Sequence, residues 1–349
     1  MRETRFWICK LRIIATLAVI WLHTNGTIWG NQELFLLSDG QKRFFAVNYY
    51  LMWWAVPVFF MITGYLLLDK NKNITVHDCL FRYVRRVLLA LIIFGLFFSG
   101  IIAVSEGERS ILLFPKAAVG VLTGNTFSHL WYCYELIGIY IVLPIIKTFT
   151  DNTKEQTFRS MLIILGVFDF IIPFLGTVIG EKINFYIPFS YTIFYLLYGH
   201  WIFKRDRGTR KVFVVIGIVL VMFVGAIAYL MPIENNPFLG YNSPLVAGLA
   251  ISVLGLFFKS DNKPGDDVGA ECKTSTTDNR LWKIDRLCFG VYLIHPLFIQ
   301  VFYRILGFTP IKFDYYQMGT IVVFITVVII SFTVSWGLYK IPIMKKYVL

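Results

Sequence analysis

Long apolar runs separated by short polar intervals dominate this chain. Runs of spanning length fall at about 10–30, 46–68, 84–104, 129–149, 160–180, 187–203, 211–231, 239–258, 282–305 and 316–340. Crossing the hydrocarbon of a bilayer takes an α-helix of roughly 20 apolar residues. A chain inside lipid must also satisfy its own backbone hydrogen bonds, which a helix does within one segment. The pattern therefore predicts an all-α, polytopic membrane protein of about ten transmembrane helices, the 187–203 run being short and led by Pro188.

The polar intervals hold the charge, and they orient the helices. With the N-terminus in the cytoplasm, 26 of the 33 Lys and Arg residues fall on the inner side. Such a bias predicts both termini cytoplasmic and an even number of spans. At 57% hydrophobic and 15% charged the chain is far from a soluble domain, in which about a quarter of residues are charged. The net charge of +12 does not point to nucleic acid, because the basic residues lie in loops between apolar runs. Arg2 and Arg5 ahead of an apolar run resemble a secretion leader, but no small-x-small cleavage site follows, so the run reads as a retained first helix. No soluble domain remains once the helices are placed, and residues 1–349 read as a single membrane domain without internal repeats.

Five cysteines, Cys9, Cys79, Cys133, Cys272 and Cys288, lack metal-ligand or paired spacing, so no metal site or disulfide framework is expected. Two intervals are long. The outer 105–128 segment contains ILLFPKAAVGVL, too short to span and suited to lie along or dip into the interface. The inner 259–281 loop is polar and expected to be mobile, with little chemistry.

Chemistry begins in the first helix, where Arg12 and His23 interrupt an apolar run. Eleven residues of helix are about 16 Å of rise and leave the two side chains about 20° apart around the axis, so they share a face with Ala15 and Val19 between them. An ionisable group in hydrocarbon is costly and marks a functional candidate facing the protein interior. The second run places Pro57, Gly64 and Tyr65 in an apolar span, which ordinary helix packing also explains. Arg82, Arg85 and Arg86, with Lys70 and Lys72 upstream, make a cationic patch fit for phosphates or simply for positive-inside anchoring. His129 and Trp131 stand at the outer end of the fourth run, with Glu135 deeper and in need of a partner or a proton. Asp169 raises the same question. Tyr292 and His295, ahead of Pro296, place a second histidine where it can share a depth with His23.

In this order and over nearly the whole length, these motifs resemble acyltransferase family 3 of integral membrane acyltransferases. The resemblance rests on Arg12 and His23 with ten residues between them, VPVFFMITGYLL, Arg82 and Arg85, HLWY with Pro144, and YLIHP. It is similar above all to short stand-alone members, the O-antigen and enterobacterial common antigen O-acetyltransferases, without the SGNH esterase-like domain of larger relatives. Lys10 stands where many members carry an acidic residue, which leaves the partner of Arg12 open.

The resemblance implies transfer of an acetyl group from cytoplasmic acetyl-CoA to a lipid-linked or nascent glycan, in the bacterial inner membrane and without metal. On that reading His23, Arg12, Glu135, Tyr292 and His295 are catalytic candidates, His23 acting as general base or transient acyl carrier. Arg82, Arg85, Arg86 and Arg12 bind the CoA phosphates, while Tyr65, His129 and Trp131 bind the sugar, whose choice is expected to lie in the outer segments 31–45, 105–128 and 232–240. Membrane lipids are the other partner, and no nucleic acid is expected. Two other classes use similar groups: a transporter or flippase moving a small molecule or lipid-linked sugar, and a non-catalytic membrane partner. A succinyl or other short acyl group is a variant of the first reading.

Overall fold

The computed structural model describes residues 6–31, 33–107, 110–202, 210–257 and 276–349. Among them every regular element is helical. The first five helices are α1 (Phe6–Trp29), α2 (Asp39–Tyr50), α3 (Ala55–Leu67), α4 (Val76–Asp78) and α5 (Arg85–Ser105). The middle of the chain forms α6 (Leu113–Thr123), α7 (Trp131–Asn152), α8 (Glu155–Gly166), α9 (Ile172–Ile179) and α10 (Tyr191–Ile202). The remainder forms α11 (Arg210–Leu230), α12 (Pro244–Phe257), α13 (Thr276–Asp285), α14 (Cys288–Gln300), α15 (Tyr316–Lys340) and α16 (Pro342–Tyr347). Eight helical stretches are long and apolar enough to cross a membrane. They correspond to eight of the ten apolar runs; the other two runs are the 14-residue α12 and the 12-residue α10.

The differences from the sequence pattern have local causes. The second run begins earlier than its apolar part, because Ser38 and Gln41 form a reciprocal cap that starts α2 at Asp39. It then breaks at residues 51–54, and Pro57 falls in the first turn of α3, where a missing N–H costs nothing. The 282–305 run is not one helix: α13 ends at Asp285, and α14 starts three residues later. Most of the polar 259–281 loop lies outside the described residues, but its last part belongs to α13. The short outer apolar stretch becomes α6, packed on α5.

Helix α1 is the hub, touching α2, α3, α12, α13, α14 and α15. Over its most apolar stretch 61% of α1 is buried, against 11% for α11 and 22% for α15, which puts α1 at the centre and those two at the rim. Beside α1, helices α3 and α10 meet almost backbone to backbone. A Cβ on Gly64 would lie 1.8 Å from the Leu196 carbonyl oxygen, and one on Gly199 2.0 Å from that of Met61. Small residues allow this approach where lipid provides no hydrophobic drive between helices.

Candidate active site

Three imidazoles from three distant parts of the chain meet in the interior. His23 comes from α1, His129 from the 3₁₀ turn Ser128–Leu130 ahead of α7, and His295 from α14. Their ring centroids lie 5.1 Å apart for His23 and His295, 5.7 Å for His129 and His295, and 6.2 Å for His23 and His129. His129 and His295 are buried, at 3% and 0% exposure, while His23 is half-buried between them. His23 therefore faces the protein interior and not lipid.

The backbone sets the protonation of two of these rings. Pro296 has no N–H, so the carbonyl of Tyr292, four residues earlier, loses its helical donor. His295 takes that place, with Nδ1 2.9 Å from the Tyr292 oxygen and 3.1 Å from the Val291 oxygen. A carbonyl only accepts, so Nδ1 carries the proton and Nε2 holds the lone pair. In the same way His129 Nε2 donates to the Leu293 carbonyl at 3.2 Å, leaving the lone pair on Nδ1. His295 Nε2 and His129 Nδ1 are buried and find no hydrogen-bond partner among the described residues. Two ring nitrogens thus keep their lone pairs unshared among the described residues. Among the described residues no group of three or more His, Cys, Asp or Glu is placed to hold a metal ion.

Below this cluster a cavity of about 570 Å³ opens at the end of the molecule that carries the start of α1. Arg12, Arg86, Arg286 and Lys345 contribute four cations to its wall, and Tyr83, Tyr132, Tyr140, Tyr292 and Tyr339 its aromatic faces. Helix α1 enters it through Arg12 and Thr16. Ala15 and Val19, on the strip that joins Arg12 to His23, are packed in the core instead. Arg12 donates from Nη1 to both oxygens of Asp285, at 2.8 and 3.0 Å. The carboxylate absent from α1 is thus supplied by the end of α13, 273 residues away.

The cavity ends before the imidazoles. Tyr292 lines it, packs its ring 5.5 Å from that of His129 and donates its hydroxyl to the His129 carbonyl. Tyr132 stands 5.6 Å from Tyr292, ring to ring, and closes the same end. None of the three histidines is part of the cavity wall.

The other candidates lie elsewhere. Arg82 and Arg85 are exposed and outside the cavity wall, Arg82 near the Tyr83 ring and Arg85 over Tyr347 at 5.5 Å. Glu135 accepts from the Thr192 hydroxyl at 3.3 Å, on the side of α7 facing α10. Tyr65 packs edge-on against Trp7, at the far end of α1 from the imidazoles. Trp131 lies 5.3 Å from Tyr241, which in turn stacks on Trp53 at 4.5 Å. Asp169 sits in the π-helical turn Val167–Ile171 between α8 and α9. The sequence pattern marks Arg286 and Lys345 only as inner-side cations and does not single out Asp285. An arginine in need of a carboxylate was the one signal that pointed to Asp285.

Spanning helices around a buried imidazole cluster and a cationic cavity define a multi-pass membrane protein. A family model described as an acyltransferase domain matches residues 6–340, and the chain belongs to acyltransferase family 3. It is accordingly a membrane acyltransferase in the general sense of that family. No curated protein matches the chain, and no solved structure does.

Proposed function

We propose that this protein takes an acetyl group from cytoplasmic acetyl-CoA and transfers it, across the bacterial inner membrane, to a hydroxyl of a surface polysaccharide or its lipid-linked precursor, of the O-antigen kind. The observation that carries this reading is the stacking of two sites along α1: a cavity walled by four cations and, beyond its closed end, imidazoles with unpartnered nitrogens. Cations around a cavity suit the phosphates of CoA, and arginine does so with paired hydrogen bonds. The slender pantetheine arm fits between the aromatic side chains above them.

At the far end an imidazole lone pair accepts the proton of the sugar hydroxyl as its oxygen forms a bond to the thioester carbonyl carbon. The carbon–sulfur bond then breaks, and the CoA thiolate leaves with the proton. In this reading His23 meets substrate and His129 and His295 flank it, a choice supported by His23 being half-buried where the other two rings are buried. Neutral imidazoles are suited to this depth, since they take a proton only during the reaction.

The test supplies purified protein, in vesicles, with acetyl-CoA labelled on the acetyl group and a lipid-linked glycan. The expected result is label in the glycan, located by mass spectrometry, with release of CoA. Movement of the glycan across the bilayer with no consumption of acetyl-CoA would instead establish a translocase and end this reading.

A further inference from the structure

We infer that Tyr292, backed by Tyr132, is the partition that sets how long an acyl group the protein accepts; the inference rests on the acyl-transfer reading above. The highest residue of α1 on the cavity wall is Thr16, seven residues short of His23. That interval is about 10 Å along the helix axis. Tyr292 bridges cavity and cluster: its side chain lines the cavity, and its ring centroid lies 5.5 Å from that of His129.

The hydroxyl of Tyr292 is tied to the His129 carbonyl, and its ring is held between Tyr132 at 5.6 Å and Phe289, stacked at 6.2 Å. For a thioester carbonyl to reach an imidazole, this ring must swing aside and its hydrogen bond to His129 must open. A small acyl group passes through the space so released, whereas each added methylene has to displace a neighbour in the packed shell. Hydrophobic confinement of this kind discriminates one methylene by roughly 10- to 200-fold. Because the tether ends on His129 itself, the same movement frees the backbone that carries one imidazole of the cluster.

The experiment compares acetyl-, butyryl- and hexanoyl-CoA as donors, reporting each as kcat/KM relative to acetyl. Tyr292→Ala should raise the hexanoyl-to-acetyl ratio at least tenfold, and Tyr132→Ala should raise it less. Tyr292→Phe keeps the ring but loses the tether; it should preserve the ratio while raising acceptor-independent hydrolysis of acetyl-CoA, in which water replaces the sugar, several-fold. A general loss of folding lowers all donors together and leaves the ratio unmoved. Should Tyr292→Ala not insert stably, the hydrolysis measured with Tyr292→Phe decides. With both alanine variants stably inserted, ratios equal to wild type would overturn the inference, as would unchanged hydrolysis in Tyr292→Phe when Tyr292→Ala does not insert. Failure of wild-type protein to transfer acetyl at all would instead remove the reading beneath it.

Discussion

The lower cavity and the imidazole cluster share α1, yet their polar groups are satisfied in opposite ways. In the cavity, charge meets charge or backbone: Arg12 grips Asp285 with two hydrogen bonds, Arg86 donates from Nε to the Val348 carbonyl, and Arg286 and Lys345 line the wall. In the cluster, among the described residues, no side chain is hydrogen-bonded to an imidazole. His129 and His295 are fixed by backbone carbonyls, and each keeps one nitrogen unpartnered. A permanent charge inside a membrane protein needs a counter-charge or water, whereas a neutral imidazole needs only one donor bond to be held in place. On the proposed reading, the difference separates a binding region, where charge is held throughout, from a reacting region, where charge exists only in passing.

That contrast can be broken most sharply at His23. His23→Gln is expected to lower acetyl transfer by about 10²–10⁴, the range for loss of a general base, while membrane insertion and thermal stability in detergent stay near wild type. Next in size is the ion pair. Arg12→Ala leaves Asp285, whose side chain is 5% exposed, without its partner; because Arg12 is itself 29% exposed on the cavity wall, the cost should fall below the ~3–5 kcal/mol of a fully buried pair. The melting temperature of the purified protein should fall, and Arg12→Ala with Asp285→Asn should recover part of the loss. No recovery would mean that Arg12 stabilises by packing instead of charge.

Smaller effects sharpen the boundary of the cavity. Arg86→Gln or Arg286→Gln should raise KM for acetyl-CoA about fivefold, equivalent to ~1 kcal/mol, and leave KM for the glycan alone. Arg82→Gln should change it less than about twofold, because exposed charges at a distance are screened by salt. Equal effects of Arg82 and Arg86 would restore the phosphate role that the sequence motif suggests for both. Smallest of all, Glu135→Gln should remain within about 0.5 kcal/mol of wild-type stability, with transfer intact, since an amide oxygen also accepts from Thr192.

Much of the architecture is legible in the sequence itself. Spanning runs are set by the cost of leaving peptide groups unbonded in lipid, a property of each segment alone, and eight of the ten runs became long apolar helices. The common face of Arg12 and His23 follows from helical geometry, and α1 is unbroken from Phe6 to Trp29. Pro296 after His295 was visible too, although its effect was not: a freed carbonyl matters only once a ring is there to use it.

The chain's own pattern thus determined the all-helical membrane class and the placing of Arg12 and His23 on one face of an unbroken first helix. These depend on periodicity and hydropathy, which act over one helix. Tertiary structure alone decided that Asp285 answers Arg12, that Arg86 and not Arg82 faces the cavity, and that Tyr292 stands between cavity and imidazoles. Each of these is a meeting of helices far apart in sequence, and in lipid such meetings are chosen by close side-chain packing, which no single segment encodes.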